Sequence, residues 1–84
     1  MKENRKPAAI FHPGEFIREE MAARGWSIET LIAMTGCNRE RWETLLAEKR
    51  ALTLLDAHAL SLAFGTSREL WINLQKSFEV LKQP

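Results

Sequence analysis

The sequence predicts an all-α domain of five short helices, on three observations. Apolar residues recur at spacings of three and four in five successive stretches, the mark of amphipathic helices. Three of the four glycines, Gly25, Gly36 and Gly65, each follow such a stretch, where a residue of positive φ closes a helix. No segment carries a strand signal of any length. At 84 residues the chain is one domain. A domain of this size buries a modest core, which makes self-association a reasonable expectation.

Residues 1–11 read as a flexible or extended arm, with Lys2, Arg5, Lys6 and Pro7 ahead of apolar Ile10 and Phe11. The domain proper spans 12–84. Pro13 suits a first helical turn, and the first helix is expected at about Glu15 to Arg24. Its inner face is Phe16, Ile17 and Met21, with Glu15, Arg18, Glu19 and Arg24 toward water. His12 caps or packs at its start. Ser27 caps the second helix, whose inward stripe is Ile28, Leu31, Ile32 and Thr35. Gly36 makes the turn. Asn38 caps the third helix, with Trp42, Leu45 and Leu46 inward. Thr53 caps the fourth, which buries Ala57, Leu60 and Phe64 and leaves His58 half-buried. Ser67 caps the fifth, whose apolar stripe is Leu70, Trp71, Leu74, Phe78 and Leu81.

Composition excludes several classes. Hydrophobic residues are 45% of the chain, which suits a packed globule rather than a disordered segment. No apolar run approaches the roughly 20 residues that cross a bilayer, and no apolar stretch follows the charged N-terminus as a signal peptide requires. The single cysteine, Cys37, makes neither an internal disulfide nor a zinc site, which fits a reducing cytoplasm. It reads as a core thiol, since no histidine base or oxyanion site accompanies it. His12 and His58 lack metal-ligand partners at helical spacing. Glu15, Glu19 and Glu20 form a solvated carboxylate stripe rather than an acid–base pair. No cofactor or metal and no enzymatic activity is expected.

Two short helices joined at Gly36, over about residues 27–47, have the spacing of a helix-turn-helix, in which the second helix enters the major groove. Three stretches carry a family resemblance: His12-Pro13-Gly14-Glu15 near the start, Lys49-Arg50 in the middle, and Gly65-Thr66-Ser67-Arg68-Glu69-Leu70-Trp71-Ile72-Asn73-Leu74-Gln75 near the end. Over roughly residues 12–81 the chain resembles the HigA (VapI)-type antitoxins, five-helix proteins of the Xre, or lambda-repressor-like, helix-turn-helix class. The resemblance implies an antitoxin that binds a cognate toxin, typically a RelE-like ribonuclease. It also implies repression of its own operon through operator DNA, and a homodimer formed through the C-terminal helix, about residues 68–82. For that interface the candidates are Leu70, Leu74, Phe78 and Leu81. Two other readings stand beside it: an antitoxin-like interaction module with reduced or lost DNA binding, and a stand-alone Xre-type repressor.

The central helices depart from the family pattern. Ile28 stands where the family has a phosphate-holding glutamine, Ile32 where it has alanine, Thr35 for leucine, Trp42 for isoleucine and Glu48 for glycine. Ile32 is expected to push the two helices apart, and Trp42 to offset this by repacking the crossing. Trp26 either staples the corner before Ser27 or belongs to an exposed aromatic patch. The DNA-binding candidates are Arg39, Glu40, Arg41, Thr44, Lys49 and Arg50. Arg39 and Arg41 either pair with guanine or solvate the helix and pair with Glu43 or Glu40. Glu40 and Glu43 either read cytosine or repel phosphate. Thr44 touches DNA or faces solvent. Lys49-Arg50 matches the family's phosphate-gripping pair. From Ser27 to Thr53 the four basic residues balance Glu29, Glu40, Glu43 and Glu48, so DNA binding requires an uneven placement of charge.

Overall fold

A computed structural model describes residues 11–81 of the chain. The expected N-terminal arm lies outside the described residues except for Phe11, whose ring meets Phe16 edge to face at 6.0 Å. Five helices follow: α1 (Pro13–Arg24), α2 (Ile28–Thr35), α3 (Arg39–Leu46), α4 (Leu54–Phe64) and α5 (Arg68–Leu81). Among the described residues there is no strand.

Each start follows from its cap. Ser27, Asn38, Thr53 and Ser67 side chains accept from the backbone N–H groups of Thr30, Arg41, Asp56 and Leu70, satisfying donors that a first turn leaves unpaired. The first helix begins at Pro13, two residues earlier than expected, because His12 itself is the cap. Its Nδ1 accepts from Gly14 N–H at 2.9 Å, so the ring proton sits on Nε2, which donates to the Arg50 carbonyl at 2.8 Å. That bond ties the start of α1 to the loop after α3. Gly36, at φ +75°, turns the chain between α2 and α3. Gly14 serves another purpose. A Cβ there would collide with the Leu45 carbonyl oxygen, so glycine is what lets α1 lie against the end of α3.

The core is one cluster gathered from all five helices and the loop before α4. Ile17, Leu31, Trp42, Leu45, Ala57 and Leu60 are fully buried, and Met21, Leu52, Phe64 and Trp71 nearly so. The largest contact is α4 on α5, with α3 held by α1 and α2. Two aromatic choices shape the corner at Trp26. Its ring stacks on Phe64 at 5.2 Å and 23°, and the Arg24 guanidinium lies 4.8 Å from the Phe64 ring centroid while donating to the Phe64 carbonyl. Trp26 is therefore a packing residue, not the centre of an exposed aromatic patch. His58, expected half-buried, is exposed; Ala57, Leu60 and Phe64 take the inward face of α4, and His58 falls opposite. Cys37 and Ile32 are partly buried against the core.

Candidate nucleic-acid interface

The pairing of α2 with α3 rests on a substitution pair. Trp42 is fully buried and carries an indole N–H that must find an acceptor. Thr35 supplies it: Trp42 Nε1 donates to Thr35 Oγ1 at 2.9 Å, and that hydroxyl donates onward to the Leu31 carbonyl at 2.8 Å. A leucine at 35 would leave the indole unpaired, and an isoleucine at 42 would need no threonine. The two departures from the family pattern, Thr35 and Trp42, thus answer each other through a hydrogen bond.

The outer face of α3 is salt-bridged. Arg39 donates to the Glu29 carboxylate of α2 and lies 3.4 Å from Glu43, one turn along its own helix. The hydrogen bond from Arg39 holds the Glu29 carboxyl below its ordinary range, and the bond to Glu29 raises the Arg39 pKa in return. Of the two pairings open to Arg39, the structure has the solvated one with Glu43, extended to Glu29. Glu40 is exposed and has no ion-pair partner among the described residues. Thr44 Oγ1 donates within the helix to the carbonyls of Glu40 or Arg41 and accepts from Arg50 Nε at 3.1 Å.

Behind that face lies a residue the sequence reading passed over. Asp56, at the third position of α4, is fully buried. Its carboxylate takes Arg41 Nε at 2.9 Å, both terminal nitrogens of Arg50 at 2.7 and 3.2 Å, and the N–H and hydroxyl of Thr53 at 2.8 and 3.0 Å. Burial alone would push the carboxyl upward; Arg50, then Thr53, more than reverse this, and its pKa falls below the ordinary aspartate value. The available signal was Thr53-Leu54-Leu55-Asp56, a capping box with aspartate at its acidic position.

Arg50 is consumed by this arrangement. Its five N–H donors go to Thr44, the Ala51 carbonyl, the Arg41 carbonyl and both oxygens of Asp56. Arg41 is not. Nε goes to Asp56 and one Nη2 proton to Thr53 Oγ1 at 3.2 Å, which leaves three donors without a partner among the described residues. Arg41 lines an open groove with Asn38, Glu40, Thr44, Arg50 and Thr53. Lys49 is exposed beside it. Glu48 holds φ +62°, a left-handed conformation that favours glycine, and its carboxylate pairs with Arg18 at 2.7 Å. Arg18 also donates to the Leu46 carbonyl. The structure therefore brings Arg41, Thr44 and Arg50 together, places Glu40 and Lys49 beside them, and sets Arg39 apart in its own carboxylate clamp.

On α5, Leu70 and Leu81 are 43% and 44% exposed. Leu74 is partly buried, as is Phe78, whose ring meets His12 edge-on at 4.9 Å. Gln75, the last residue of the Gly65–Gln75 stretch, is buried and accepts from Leu52 N–H at 2.8 Å, pinning the loop before α4 to α5. Apolar exposure is greater on α4, where Leu54, Leu55 and Leu62 are each 71% exposed; helical spacing alone did not mark these as outward.

Five helices with a capped, glycine-turned α2–α3 pair and an open third helix define a helix-turn-helix protein. No family model matches the chain. It is 31% identical over 78 residues to virulence-associated protein I of Dichelobacter nodosus, covering 92% of this chain and 70% of that protein. An addiction module antidote protein of the HigA family from Coxiella burnetii is 30% identical and superposes with a TM-score of 0.79, covering 84% of this chain and 78% of that one. The Pseudomonas aeruginosa antitoxin HigA, solved with the higBA promoter, is 26% identical with a TM-score of 0.81, covering 86% of this chain and 79% of that one. The chain belongs to the HigA (VapI)-type antitoxin family. The family is one of antitoxins rather than enzymes. No helix among the described residues is long and apolar enough to cross a membrane.

Proposed function

We propose that the protein is the DNA-binding antitoxin of a two-component module in the cytoplasm. It neutralises a RelE-like toxin and, as a homodimer, represses its own operon. The observation that carries this reading is the exposed outer face of α3, with Arg39, Glu40, Arg41 and Thr44 on it and Lys49-Arg50 at its far end, in a domain whose fold matches an antitoxin solved with promoter DNA. Leu70, Leu74, Phe78 and Leu81 of α5 supply the dimer contact, which spaces two recognition helices about one DNA turn apart. Titration of the protein against its own upstream region and against shuffled DNA, at two salt concentrations, tests the reading. A preference for the upstream region is expected; no preference at low salt refutes repression. Co-purification with the product of the adjacent gene tests the toxin.

A second reading has its own support. Arg39 sits in a carboxylate clamp, Arg50 has spent its donors, and Glu40 is unpaired among the described residues, so the face has little free positive charge. A protein that keeps toxin and self association while binding DNA weakly would look like this. The same titration separates the two readings: equal, weak binding to both DNAs together with toxin capture favours the second.

A further inference from the structure

We infer that Asp56 is a specificity-determining positioning residue. From beneath the recognition helix it aims Arg41 at a base edge, while Arg50 serves as the brace of that aim rather than as a contact to phosphate. The inference rests on the proposed DNA binding and assigns its division of labour.

Donor geometry decides between the two arginines. A guanidinium has five N–H groups. All five on Arg50 end on protein acceptors, two of them on the buried Asp56 carboxylate, so a phosphate could be met only by giving up bonds already made within the protein. Arg41 is held by Nε and one Nη2 proton only, which orients the guanidinium while leaving its outer edge open. A fork fixed at its base with free donors at its rim suits bidentate pairing with guanine, since the side-chain entropy is already spent. Position agrees. Arg41 lies in the first turn of α3, the end that meets base edges, and lines the open groove on that face. Asp56 also cancels charge. Buried behind two arginines, it lowers the general attraction of the face for phosphate, which favours discrimination over affinity.

The two effects predict opposite signs on two DNAs, which a purely structural residue would not produce. Binding of the full chain to its upstream region and to random duplex is measured for the wild type, Asp56→Asn, Arg41→Ala and their double variant, with folding followed by circular dichroism. Asp56→Asn should bind random DNA more tightly and steepen the salt slope by about one, because a guanidinium is released to phosphate. The preference for the upstream region should fall about 5- to 150-fold, the range one bidentate contact commands. Arg41→Ala should lose the same preference, and adding Asp56→Asn to it should remove no more. Arg41→Lys, at a partly exposed position, keeps the charge and the fold; it should lose preference as well, with the salt slope unchanged, and it carries the test if Asp56→Asn does not fold. Unchanged preference in a folded Asp56→Asn or in Arg41→Lys overturns the inference alone. A wild type without preference overturns both it and the repressor reading. Unchanged preference in Arg50→Lys, with the fold preserved, overturns the assignment of Arg50 as a brace, since a phosphate contact carries no sequence preference.

Discussion

Replacing Thr35 by valine tests whether this helix pair is held by a hydrogen bond or by shape. Valine keeps the branched outline and removes one acceptor. The Leu31 carbonyl loses a side-chain donor but retains the ordinary backbone position of a helix. The Trp42 indole N–H, 2.9 Å from that hydroxyl in a fully buried ring, loses its only acceptor among the described residues. An orphaned buried donor costs about 1–3 kcal/mol, and in a domain of this size each kcal/mol shifts the melting midpoint by about 4–8 °C. Trp42→Phe removes the donor and part of a ring, costing roughly 2 kcal/mol in cavity and transfer terms. The informative variant combines the two. With no indole N–H to satisfy, Thr35→Val in the phenylalanine background loses only the long 3.4 Å bond from Cys37 N–H and the donation to Leu31 and should cost under about 1 kcal/mol, giving a coupling of roughly 1–2 kcal/mol. Urea unfolding followed by far-ultraviolet circular dichroism measures all four corners of the cycle. Costs that add to within about 0.5 kcal/mol would mean that the hydroxyl is incidental and that packing alone sets the crossing.

Other expectations concern charge, backbone and association. Because the Asp56 pKa is lowered on folding, its ion pairing contributes stability that is fully present above the unfolded aspartate value of about 3.9 and is lost as pH falls through the folded value beneath it. Acid titration of stability should therefore be flatter below pH ~4 in Asp56→Asn than in the wild type, and equal slopes would refute the coupling. At neutral pH, Asp56→Ala should destabilise by about 3 kcal/mol, the lower end of the cost of breaking a buried pair, since Arg41 and Arg50 still reach water. Gly14→Ala forces a methyl against the Leu45 carbonyl and should cost about 1–3 kcal/mol; an unchanged melting midpoint would show that α1 can slide. Sedimentation at micromolar concentration should give a dimer mass that Leu70→Glu or Leu81→Glu lowers, both positions being exposed in the single chain. A dimer that survives both changes would move the interface to the leucines of α4.

Local chemistry is why so much of the fold could be read along the chain. Ser27, Asn38, Thr53 and Ser67 cap helices through bonds to backbone three residues away, and Gly36 turns the chain through its own φ, so sequence spacing suffices to find them. The same holds for the inward stripes of α3 and α4, where Trp42, Leu45, Leu60 and Phe64 are buried as periodicity requires. The family, too, was evident from Gly65 to Gln75 and from Lys49-Arg50, since such motifs are contiguous. Tertiary structure decided what each charged residue does. Arg39, Arg41 and Arg50 are alike in sequence, yet one is clamped by Glu29 from another helix, one is half-held and one is fully engaged. Arg41 and Arg50 both meet Asp56, which lies 15 residues from Arg41 in the chain and within hydrogen-bonding distance in the fold. Thr35 and Trp42 likewise seemed separate departures until the helices crossed and brought the hydroxyl under the indole. Caps and periodicity are set by neighbours along the backbone, whereas the number of donors an arginine has left to offer is set by whatever the packed helices bring against it.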